Sequence, residues 1–278
     1  MISPYLALMK LRVVELLLVT TLPALFLASD GIPELSITIA TLIGGTLAAG
    51  AANAFNMVIE SDIDRMMTRT SKRPIVNELI SEDRALIFAY VIAIISLVIF
   101  WVFTNPLATG LTVAAIAFYV FGYTVGLKRR TSQNIVWGGI AGCLPVLIGW
   151  AAVTNSLSWT AFWFFLVIFF WTPPHFWALA IKYRDDYAAA GIPMLPVVAT
   201  KEEVAKQSWF HTIAMIITSL LTLYSAGFPT WSYVLTLVMG IAFAWQLRDM
   251  EKNAGRIFNG SISYLSFYSI LLVIGVFI

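Results

Sequence analysis

The sequence predicts an all-α protein, a polytopic membrane bundle of nine transmembrane helices with a cytoplasmic N-terminus. Three observations predict this fold: 60% of the 278 residues are apolar, only 12% are charged, and the basic residues fall on one side of the predicted spans. A soluble domain carries about twice that charged fraction, roughly 25%, to keep its surface in water. The composition therefore excludes a cytosolic enzyme, a nucleic-acid-binding domain and a disordered protein.

Nine apolar stretches are long enough to cross a bilayer, which takes about 20 residues of helix. They lack the dyad alternation of membrane β-barrel strands. The first is interpreted as a span and not as a signal peptide, because the region before it is long and not strongly basic. The nine stretches are residues 11–29, 36–59, 84–103, 107–126, 135–153, 159–182, 206–226, 231–247 and 261–278.

The basic residues give the orientation of these spans. With the N-terminus inside, all 17 lie at the cytoplasmic flank of span one or in the even-numbered connections, as the positive-inside rule requires. They are Lys10, Arg12, Arg65, Arg69, Lys72, Arg73, Arg84, Lys128, Arg129, Arg130, Lys182, Arg184, Lys201, Lys206, Arg248, Lys252 and Arg256. We therefore expect a multi-pass protein of the cell (plasma) membrane, with its charged connections, and any active site that they form, facing the cytoplasm.

The two longest connections, after spans two and six, are both charged and are separated by four spans. This spacing predicts a single domain over residues 1–278, built from four-helix repeats at about 10–130 and 134–250, with a ninth helix at 261–278. The single cysteine, Cys143, excludes an intramolecular disulfide and a cysteine-based zinc site.

The first motif that indicates chemistry lies at the inner end of span two. Asn56, Glu60 and Asp64 follow one another at intervals of four, so a helix would place them on one stripe, about 6 Å apart along the axis. Like charges at this spacing repel, and a divalent cation would remove the repulsion. Oxygen ligands favour Mg²⁺, which shares its coordination with phosphate oxygens. Asp62 points away from this stripe.

Basic residues follow immediately and are the residue types that grip phosphate. They are Arg65, Arg69, Lys72 and Arg73. Acids for a metal and bases for phosphate together predict a diphosphate site. The alternative is a solvated helix end, in which the acids and bases pair with one another across a loop.

The second motif lies at the inner end of span six. Pro173-Pro174 removes two backbone donors and predicts a break or kink. His175 follows inside the membrane, where an ionisable residue indicates function. A helix would align His175 with Lys182 and Asp186. The alternatives are a core imidazole and a plain salt bridge between Lys182 and Asp186.

Three other features of this half of the chain belong to the prediction. Tyr183 lies at the edge of the second stripe, with Asp185 just beyond it. Residues 190–196 form a loop rich in glycine and proline, consistent with a lid. His211 begins span seven and is expected at the surface, without a role.

These motifs resemble the intramembrane (UbiA-type) prenyltransferases, and the resemblance covers almost the whole chain. Its most specific pieces are residues 56–64, 64–70 with Arg73-Pro74, 171–175 and 182–196. The chain departs from the family pattern in having Glu60 where aspartate is common. The second acidic motif is also reduced, to His175, Lys182, Tyr183, Asp185 and Asp186, a departure that the haem branch of the family shares.

The resemblance implies the reaction and its site. A farnesyl group passes from farnesyl diphosphate to a vinyl group of haem B, giving haem O and diphosphate, with Mg²⁺ as cofactor. Association with haem A synthase or oxidase assembly is also implied.

The resemblance also assigns roles to site residues. Catalytic roles are expected for Asn56, Glu60, Asp64, Lys182 and Asp186. Metal ligation is expected for Asn56, Glu60, Asp64 and Asp186. Substrate binding is expected for Arg65, Arg69, Lys72, Arg73, His175, Tyr183 and Asp185. Aromatic groups that stabilise an allylic cation are expected among Phe55, Tyr119, Tyr123, Phe176 and Trp177.

Two alternative functions stay open. The first is prenyl transfer to an aromatic quinone precursor. The second is secondary transport, for which a broken helix and charges at the midplane are signatures. Here the acids lie at one membrane face, and a repeat of four spans preserves orientation instead of inverting it.

Overall fold

The computed structural model describes residues 3–278, and every regular element within them is helical. In chain order, the helices are α1 (Ser3–Met9), α2 (Leu11–Ser29), α3 (Leu35–Ile59), α4 (Ser61–Met66), α5 (Glu82–Phe103), α6 (Pro106–Ala117), α7 (Asn134–Gly138), α8 (Ile140–Thr154), α9 (Trp159–Lys182), α10 (Arg184–Ala189), α11 (Leu195–Val198), α12 (Lys201–Ser225), α13 (Thr230–Gln246) and α14 (Met250–Gly275). A π-helix, Phe118–Leu127, continues α6, and a 3₁₀ turn, Leu247–Asp249, joins α13 to α14.

Seven segments of the described chain are long and apolar enough to cross a membrane. The first six coincide with predicted spans one to six. The seventh, Thr230–Gly275, contains α13 and α14, which pack against each other, so the chain reverses at the 3₁₀ turn. The predicted seventh span lies in α12, which is not among the seven. The all-helical membrane fold is confirmed, whereas the count of nine spans and the orientation stay predictions.

Local sequence explains where several helices begin. Ser81, Asn105 and Ser158 each accept a hydrogen bond from a main-chain N–H of the first turn of α5, α6 and α9. Thr200 caps α12 in the same way, and Glu202 and Glu203 add negative charge at its N-terminus. These caps satisfy donors that would otherwise be unpaired at helix ends.

The Pro173-Pro174 pair does not break its helix, so of the predicted break or kink the break is wrong. Helix α9 runs without interruption from Trp159 to Lys182 with both prolines inside it. Both prolines are buried against neighbouring helices. Tight packing holds the helix in register where two backbone hydrogen bonds are missing.

Helix packing carries the polar ends of α3 and α9 to one side of the bundle. Helix α3 packs chiefly on α5, where the Ser96 hydroxyl donates to the Gly44 carbonyl oxygen at 2.7 Å. Helix α9 packs on α12, α8 and α14. The pair α9–α12 occupies in the second half the place that α3–α5 has in the first, which accords with the predicted four-helix repeat; the repeat itself stays a prediction.

The outer surface of the bundle is strongly apolar. Large apolar side chains on α5 and α13 are more than half exposed, as a lipid-facing surface requires. They include Tyr90, Ile94, Trp101, Val238, Ile241 and Trp245. This surface and the apolar segments identify a multi-pass membrane protein.

Candidate active site

The three residues of the first stripe lie together in the structure and are buried. Asn56, Glu60 and Asp64 are 2%, 0% and 2% exposed. Helix α3 ends at Ile59, yet the Glu60 main-chain N–H donates to the Asn56 carbonyl and the Asp64 N–H donates to the Glu60 carbonyl, at 3.0 and 2.9 Å. These bonds keep the helical register across the junction with α4, so the predicted alignment persists.

A basic side chain contacts each member of the stripe. Lys10 Nζ donates to Asn56 Oδ1 at 2.7 Å, and Lys128 Nζ lies 2.5 Å from Glu60 Oε2. Arg73 Nη1 pairs with Asp64 Oδ2. We call these six residues, Lys10, Asn56, Glu60, Asp64, Arg73 and Lys128, the buried polar cluster. The pairing of acids with bases matches the alternative interpretation of the motif, but the carboxylates are buried and not solvated.

Charges within the buried polar cluster influence one another strongly. Lys10 lies at the junction of α1 and α2, and removal from water, reinforced by the positive charge of Arg73, lowers the pKa of its amino group well below the usual value. The carboxylates of Glu60 and Asp64 oppose this effect. The cluster therefore holds three basic groups beside two carboxylates without any ligand.

The π-helix brings Lys128 to Glu60. Tyr119 and Lys128 are nine positions apart, which would place them on opposite faces at 3.6 residues per turn. A π-helix has wider turns because each main-chain N–H bonds the carbonyl five residues earlier, as Lys128 does with Tyr123 at 2.9 Å, and these turns bring Lys128 round to the face of Tyr119. The Thr124 hydroxyl on this face accepts from Asn56 Nδ2 at 3.1 Å. The Tyr119 hydroxyl lies 3.4 Å from Asn53 Oδ1.

Helix α10 and the loop after α4 meet at Arg69. Its main-chain N–H donates to Asp186 Oδ2 at 3.1 Å, and its guanidinium donates to the Tyr187 hydroxyl at 3.2 Å. The guanidinium carbon lies 5.7 Å from the ring centres of both Tyr183 and Tyr187. Burial raises the pKa of Tyr187, which therefore stays a neutral phenol. The two predicted motifs are thus joined directly, on the same side of the bundle.

Other predicted residues lie at the rim. Arg65, Lys72, Lys182 and Asp185 are exposed. The described residues contain four ion pairs, and none joins Lys182 to Asp186. Helix α9 ends at Lys182, but the Tyr183 N–H donates to the Leu179 carbonyl and the Tyr187 N–H donates to the Tyr183 carbonyl, both at 3.1 Å, so the helical register continues into α10 as it does from α3 into α4. A joint role of His175, Lys182 and Asp186 stays a prediction.

His175 contacts a different helix. Its Nδ1 lies 2.7 Å from Ser261 Oγ, and that hydroxyl donates to the Phe258 carbonyl at 2.7 Å, so Nδ1–H is the donor to Ser261. The rings of Trp171 and Phe258 stack on its two faces, with centres 4.3 and 4.4 Å away. These contacts match the core-imidazole alternative and do not join His175 to the buried polar cluster.

The expectation that His211 lies at the surface is wrong. The residue is 6% exposed, and its ring contacts the rings of Phe170, Trp177 and Phe210. The helix α12 begins ten residues earlier than His211 and packs along α9, which buries this position.

The loop after α10 packs tightly. Gly191 has φ of +64°, a conformation that favours glycine, and it turns the chain after α10. Ile192 and Met194 are 1% and 2% exposed and pack with Tyr187 and Ile63. The segment thus packs against Tyr187 and holds it in place.

Asp62 faces away from the stripe, as predicted. Arg129 donates two hydrogen bonds to its carboxylate, at 2.9 and 2.8 Å, on the exposed surface. These bonds lower the pKa of Asp62. Asp62 carries the same charge as Glu60 and Asp64, and Arg129 carries the same charge as Lys128, but both lie outside the buried polar cluster. They are therefore matched control positions for substitutions in the cluster.

The buried polar cluster has donors that fit Mg²⁺, although it lacks a cage of protein ligands. Glu60 Oε1 is buried without a hydrogen-bond partner in the described part of the chain, and such an orphan oxygen suits a cation. No group of three or more His, Cys, Asp or Glu residues that could hold a metal occurs within residues 3–278. Mg²⁺ commonly binds through one or two carboxylates and takes its other ligands from water and phosphate.

Sequence reasoning missed four members of the site. Lys10, Lys128 and Thr124 come from distant segments, and Tyr187 was not singled out beside Asp186. The sequence feature that could have identified Lys128 is its position four or five residues after Thr124 and Tyr123, at the inner end of span four. Its contact with Glu60 depends on the π-helix, which the apolar pattern does not predict.

A family model described as the UbiA prenyltransferase family matches residues 17–269 of this chain. A protoheme IX farnesyltransferase of Streptomyces coelicolor is 45% identical over 289 residues, covering 100% of this chain and 91% of that protein. Protoheme IX farnesyltransferase 1 of Saccharopolyspora erythraea is 49% identical over 282 residues, covering 98% of this chain and 89% of that protein.

Solved structures are similar over nearly the full length. A structure of digeranylgeranylglyceryl phosphate synthase has a TM-score of 0.82 at 16% identity, covering 99% of this chain and 98% of that one. A UbiA homolog from Archaeoglobus fulgidus, bound to DMAPP and Mg²⁺, has a TM-score of 0.68 at 15% identity, covering 97% and 98%. At these identities the likeness shows the fold alone.

Proposed function

The chain belongs to the UbiA prenyltransferase family, and from this membership we propose that it transfers a farnesyl group from farnesyl diphosphate to a vinyl group of haem B, giving haem O and diphosphate. The observation that supports this chemistry best is the buried polar cluster, which places two carboxylates beside three basic groups at one end of the bundle. The choice of donor and acceptor rests on the farnesyltransferase relatives, which are 45–49% identical over almost the whole chain.

The first task of the site is to make diphosphate a leaving group. Lys10, Arg73 and Lys128 supply positive charge to its oxygens. The Arg69 guanidinium, at the rim of the site, can donate two parallel hydrogen bonds to the same group. Asn56, Glu60 and Asp64 would hold Mg²⁺, with Asp186 as the ligand of a second ion. When bound, Mg²⁺ neutralises negative charge that develops on the diphosphate.

The second task is to protect the farnesyl cation. As the bond between the first farnesyl carbon and oxygen breaks, the electron pair leaves with the diphosphate. The vinyl group of haem B then supplies the electrons of the new carbon–carbon bond, which leaves a cation on the vinyl carbon attached to the porphyrin. Water adds to that carbon as the hydroxyl group, and the proton it loses passes to the departing diphosphate. Exclusion of other water before that step preserves the cation. Tyr119 and Tyr123 present aromatic rings beside the polar cluster, where they can stabilise positive charge.

The remaining predicted aromatic residues are divided between packing and the edge of the site. Trp177 is fully buried and contacts His211, and Phe55 packs on Tyr90, so we assign both to packing. Phe176 packs in the cluster that contains Tyr187 and Tyr123, and it stays in the proposal.

Product analysis after charge removal tests the function. Glu60→Gln and Asp64→Asn should each abolish haem O formation in membranes supplied with farnesyl diphosphate, haem B and Mg²⁺, measured by mass spectrometry of extracted haem. Asp62→Asn removes a carboxylate from the exposed face of α4 and should leave product formation unchanged. Normal haem O synthesis by either of the first two variants would contradict the assignment.

The same assay separates the competing acceptors. Wild-type protein incubated with an aromatic acid and matched prenyl diphosphates should give no prenylated acid. A prenylated aromatic product, with haem B left unmodified, would replace the haem proposal by the quinone-precursor alternative.

Location and association complete the proposal. We place the protein in the plasma membrane with the buried polar cluster toward the cytoplasm, where soluble diphosphates are available. Association with haem A synthase or oxidase assembly follows from the same proposal, because haem O is an apolar product that benefits from direct transfer. Co-purification from gently solubilised membranes would test it, and recovery of the protein free of both would contradict it.

A further inference from the structure

Each oxygen group expected to bind a metal in the buried polar cluster already contacts a basic side chain. Lys10 Nζ binds the Asn56 amide oxygen at 2.7 Å, and Lys128 Nζ binds Glu60 at 2.5 Å. Arg73 pairs with Asp64. A cation that enters this cluster therefore approaches residues that already lie beside positive groups.

The charges of the cluster make such an entry unfavourable for a metal alone. The carboxylates of Glu60 and Asp64 are balanced by Lys128 and Arg73 even before Lys10 is counted. A lone Mg²⁺ would add two positive charges with no negative partner. The cluster is largely shielded from water, with the side chains of Glu60 and Asp64 1% and 3% exposed, so solvent does little to screen that excess.

A diphosphate reverses this balance because it brings several negative charges. Its oxygens can accept the lysine ammonium groups and the arginine fork in place of the carboxylates. The carboxylates, once released, are free to bind a divalent ion. The total charge then stays near neutral throughout the exchange.

One further observation indicates that these ion pairs can exchange partners. Glu60 uses only Oε2 to bind Lys128, while Oε1 is buried without a partner among the described residues. A purely structural buried ion pair gains its stability only when its remaining acceptors are also satisfied. The unpaired oxygen is instead held ready for an additional ligand.

We propose that Lys10, Arg73 and Lys128 exchange partners: each releases its metal-binding oxygen and binds the diphosphate instead. As a result, Mg²⁺ binds tightly only together with a diphosphate. This inference deepens the proposed function and rests on it for the identity of the diphosphate substrate. It concerns the order of binding at the site and makes no statement about the acceptor.

Calorimetric titration of the full chain in lipid nanodiscs tests the order directly, with inorganic pyrophosphate and Mg²⁺ as probes. Pyrophosphate alone should bind, and Mg²⁺ alone should bind at least about tenfold more weakly than it does beside pyrophosphate. Each ligand should raise the affinity of the other by the same factor, about tenfold or more, because linkage is reciprocal. Binding of Mg²⁺ alone with the affinity that it has beside pyrophosphate would overturn the inference.

A substitution at Lys128 gives a signature that general disruption of the fold does not. Lys128→Met leaves Glu60 uncompensated, so the affinity for Mg²⁺ alone should rise by about tenfold while the affinity for pyrophosphate falls by about tenfold. Arg129→Met is the matched control: it removes the same charge one residue away, where Arg129 binds the exposed Asp62. Both affinities should stay within about twofold of wild type in the control.

Arg73→Gln provides an independent variant should Lys128→Met fail to fold, because it releases the other carboxylate. The same opposite changes in the two affinities are expected. A parallel fall in both affinities, in a variant that keeps the wild-type unfolding temperature, would contradict the exchange.

The outcomes also separate this inference from the proposed function. Independent binding of Mg²⁺ by a protein that forms haem O would remove the inference and leave the function standing. Coupled binding by a protein that forms no haem O would keep the inference for the diphosphate site and remove the proposed acceptor.

Discussion

Asp186 is the residue through which the second acidic motif reaches the first. Its carboxylate accepts the main-chain N–H of Arg69, so it connects helix α10 to the loop after α4. The sequence predicts a metal ligand at this position, and the contact adds a second role in which the carboxylate holds these two segments together. Substitutions that keep or remove the acceptor can separate the two roles.

Asp186→Asn retains an oxygen that accepts the Arg69 N–H but loses the charge. We expect haem O formation to fall by about tenfold or more, because charge-assisted contacts to diphosphate or metal are lost, while the unfolding temperature stays unchanged. Asp186→Ala should lower both. Full activity of Asp186→Asn would assign Asp186 to loop attachment alone.

The exposed pair of Asp62 and Arg129 predicts a small dependence of stability on pH. The bonded guanidinium lowers the pKa of Asp62 in the folded protein, so the pair stabilises the fold above the usual aspartate pKa and loses this effect as the pH falls through the lowered value. An exposed pair contributes no more than about 1 kcal/mol. Arg129→Met should therefore unfold slightly earlier than wild type at pH 7. The two proteins should unfold alike below the folded pKa of Asp62, and a constant difference across this range would contradict the assignment.

At the residue scale, local spacing predicted one part of the site and long-range contacts made up the other. The interval of four residues aligned Asn56, Glu60 and Asp64, and the structure keeps that alignment. Lys10 and Lys128 are 46 and 68 residues from their partners in the chain. Helix packing alone brings them together, so no spacing rule identifies them.

Among the elements, the π-helix Phe118–Leu127 has the clearest functional consequence. Its wide turns place Tyr119, Tyr123 and Lys128 on one face, where an α-helix would turn Lys128 away from Glu60. Hydrophobic periodicity correctly predicted an apolar span over this region. It could not predict the wider turn, because uniformly apolar residues satisfy either winding.

Gly126→Ala tests the importance of this winding. A β-carbon at Gly126 would lie 3.1 Å from the Phe121 carbonyl oxygen, a close contact in the π-helix, and alanine has a higher α-helix propensity than glycine by about 1 kcal/mol. Both effects should rotate Lys128 away from Glu60. Pyrophosphate affinity should then fall by about tenfold, the value of one charge-assisted bond.

Gly110→Ala is the matched control in the same continuous segment. A β-carbon there meets no atom within 4 Å, so neither pyrophosphate affinity nor fold should change. Unchanged affinity in Gly126→Ala, with the helix intact by circular dichroism, would show that the winding does not position Lys128.

On the scale of the whole molecule, composition predicted the membrane bundle and packing decided the details. Six predicted spans coincide with apolar segments of the structure, the eighth falls within Thr230–Gly275, and the ninth, predicted over 261–278, overlaps the end of that segment. Hydropathy does not identify α12 as a span because polar residues interrupt its apolar part: Ser208, His211, Thr212, Thr218, Ser219 and Thr222, which are buried in the bundle. The contacts that join α10 to the loop after α4 required the folded chain.

The predicted orientation can be tested with engineered cysteines, because the native Cys143 is buried and should not react. Arg130→Cys, after predicted span four, should react with an impermeant maleimide only in inside-out vesicles. Ser156→Cys, in the next connection, should react only in right-side-out vesicles. Both residues are exposed. Labelling of both from the same side would refute the predicted orientation.

The internal pairing of Glu60 with Lys128 and of Asp64 with Arg73 also bears on how the protein can be handled at the bench. Acids that already hold their own counter-charges do not need a divalent ion to reach the native state, unlike proteins whose folding depends on metal. Purification in EDTA should therefore yield native protein with an unaltered melting curve. Activity should return as soon as magnesium is added back together with farnesyl diphosphate, without a refolding delay.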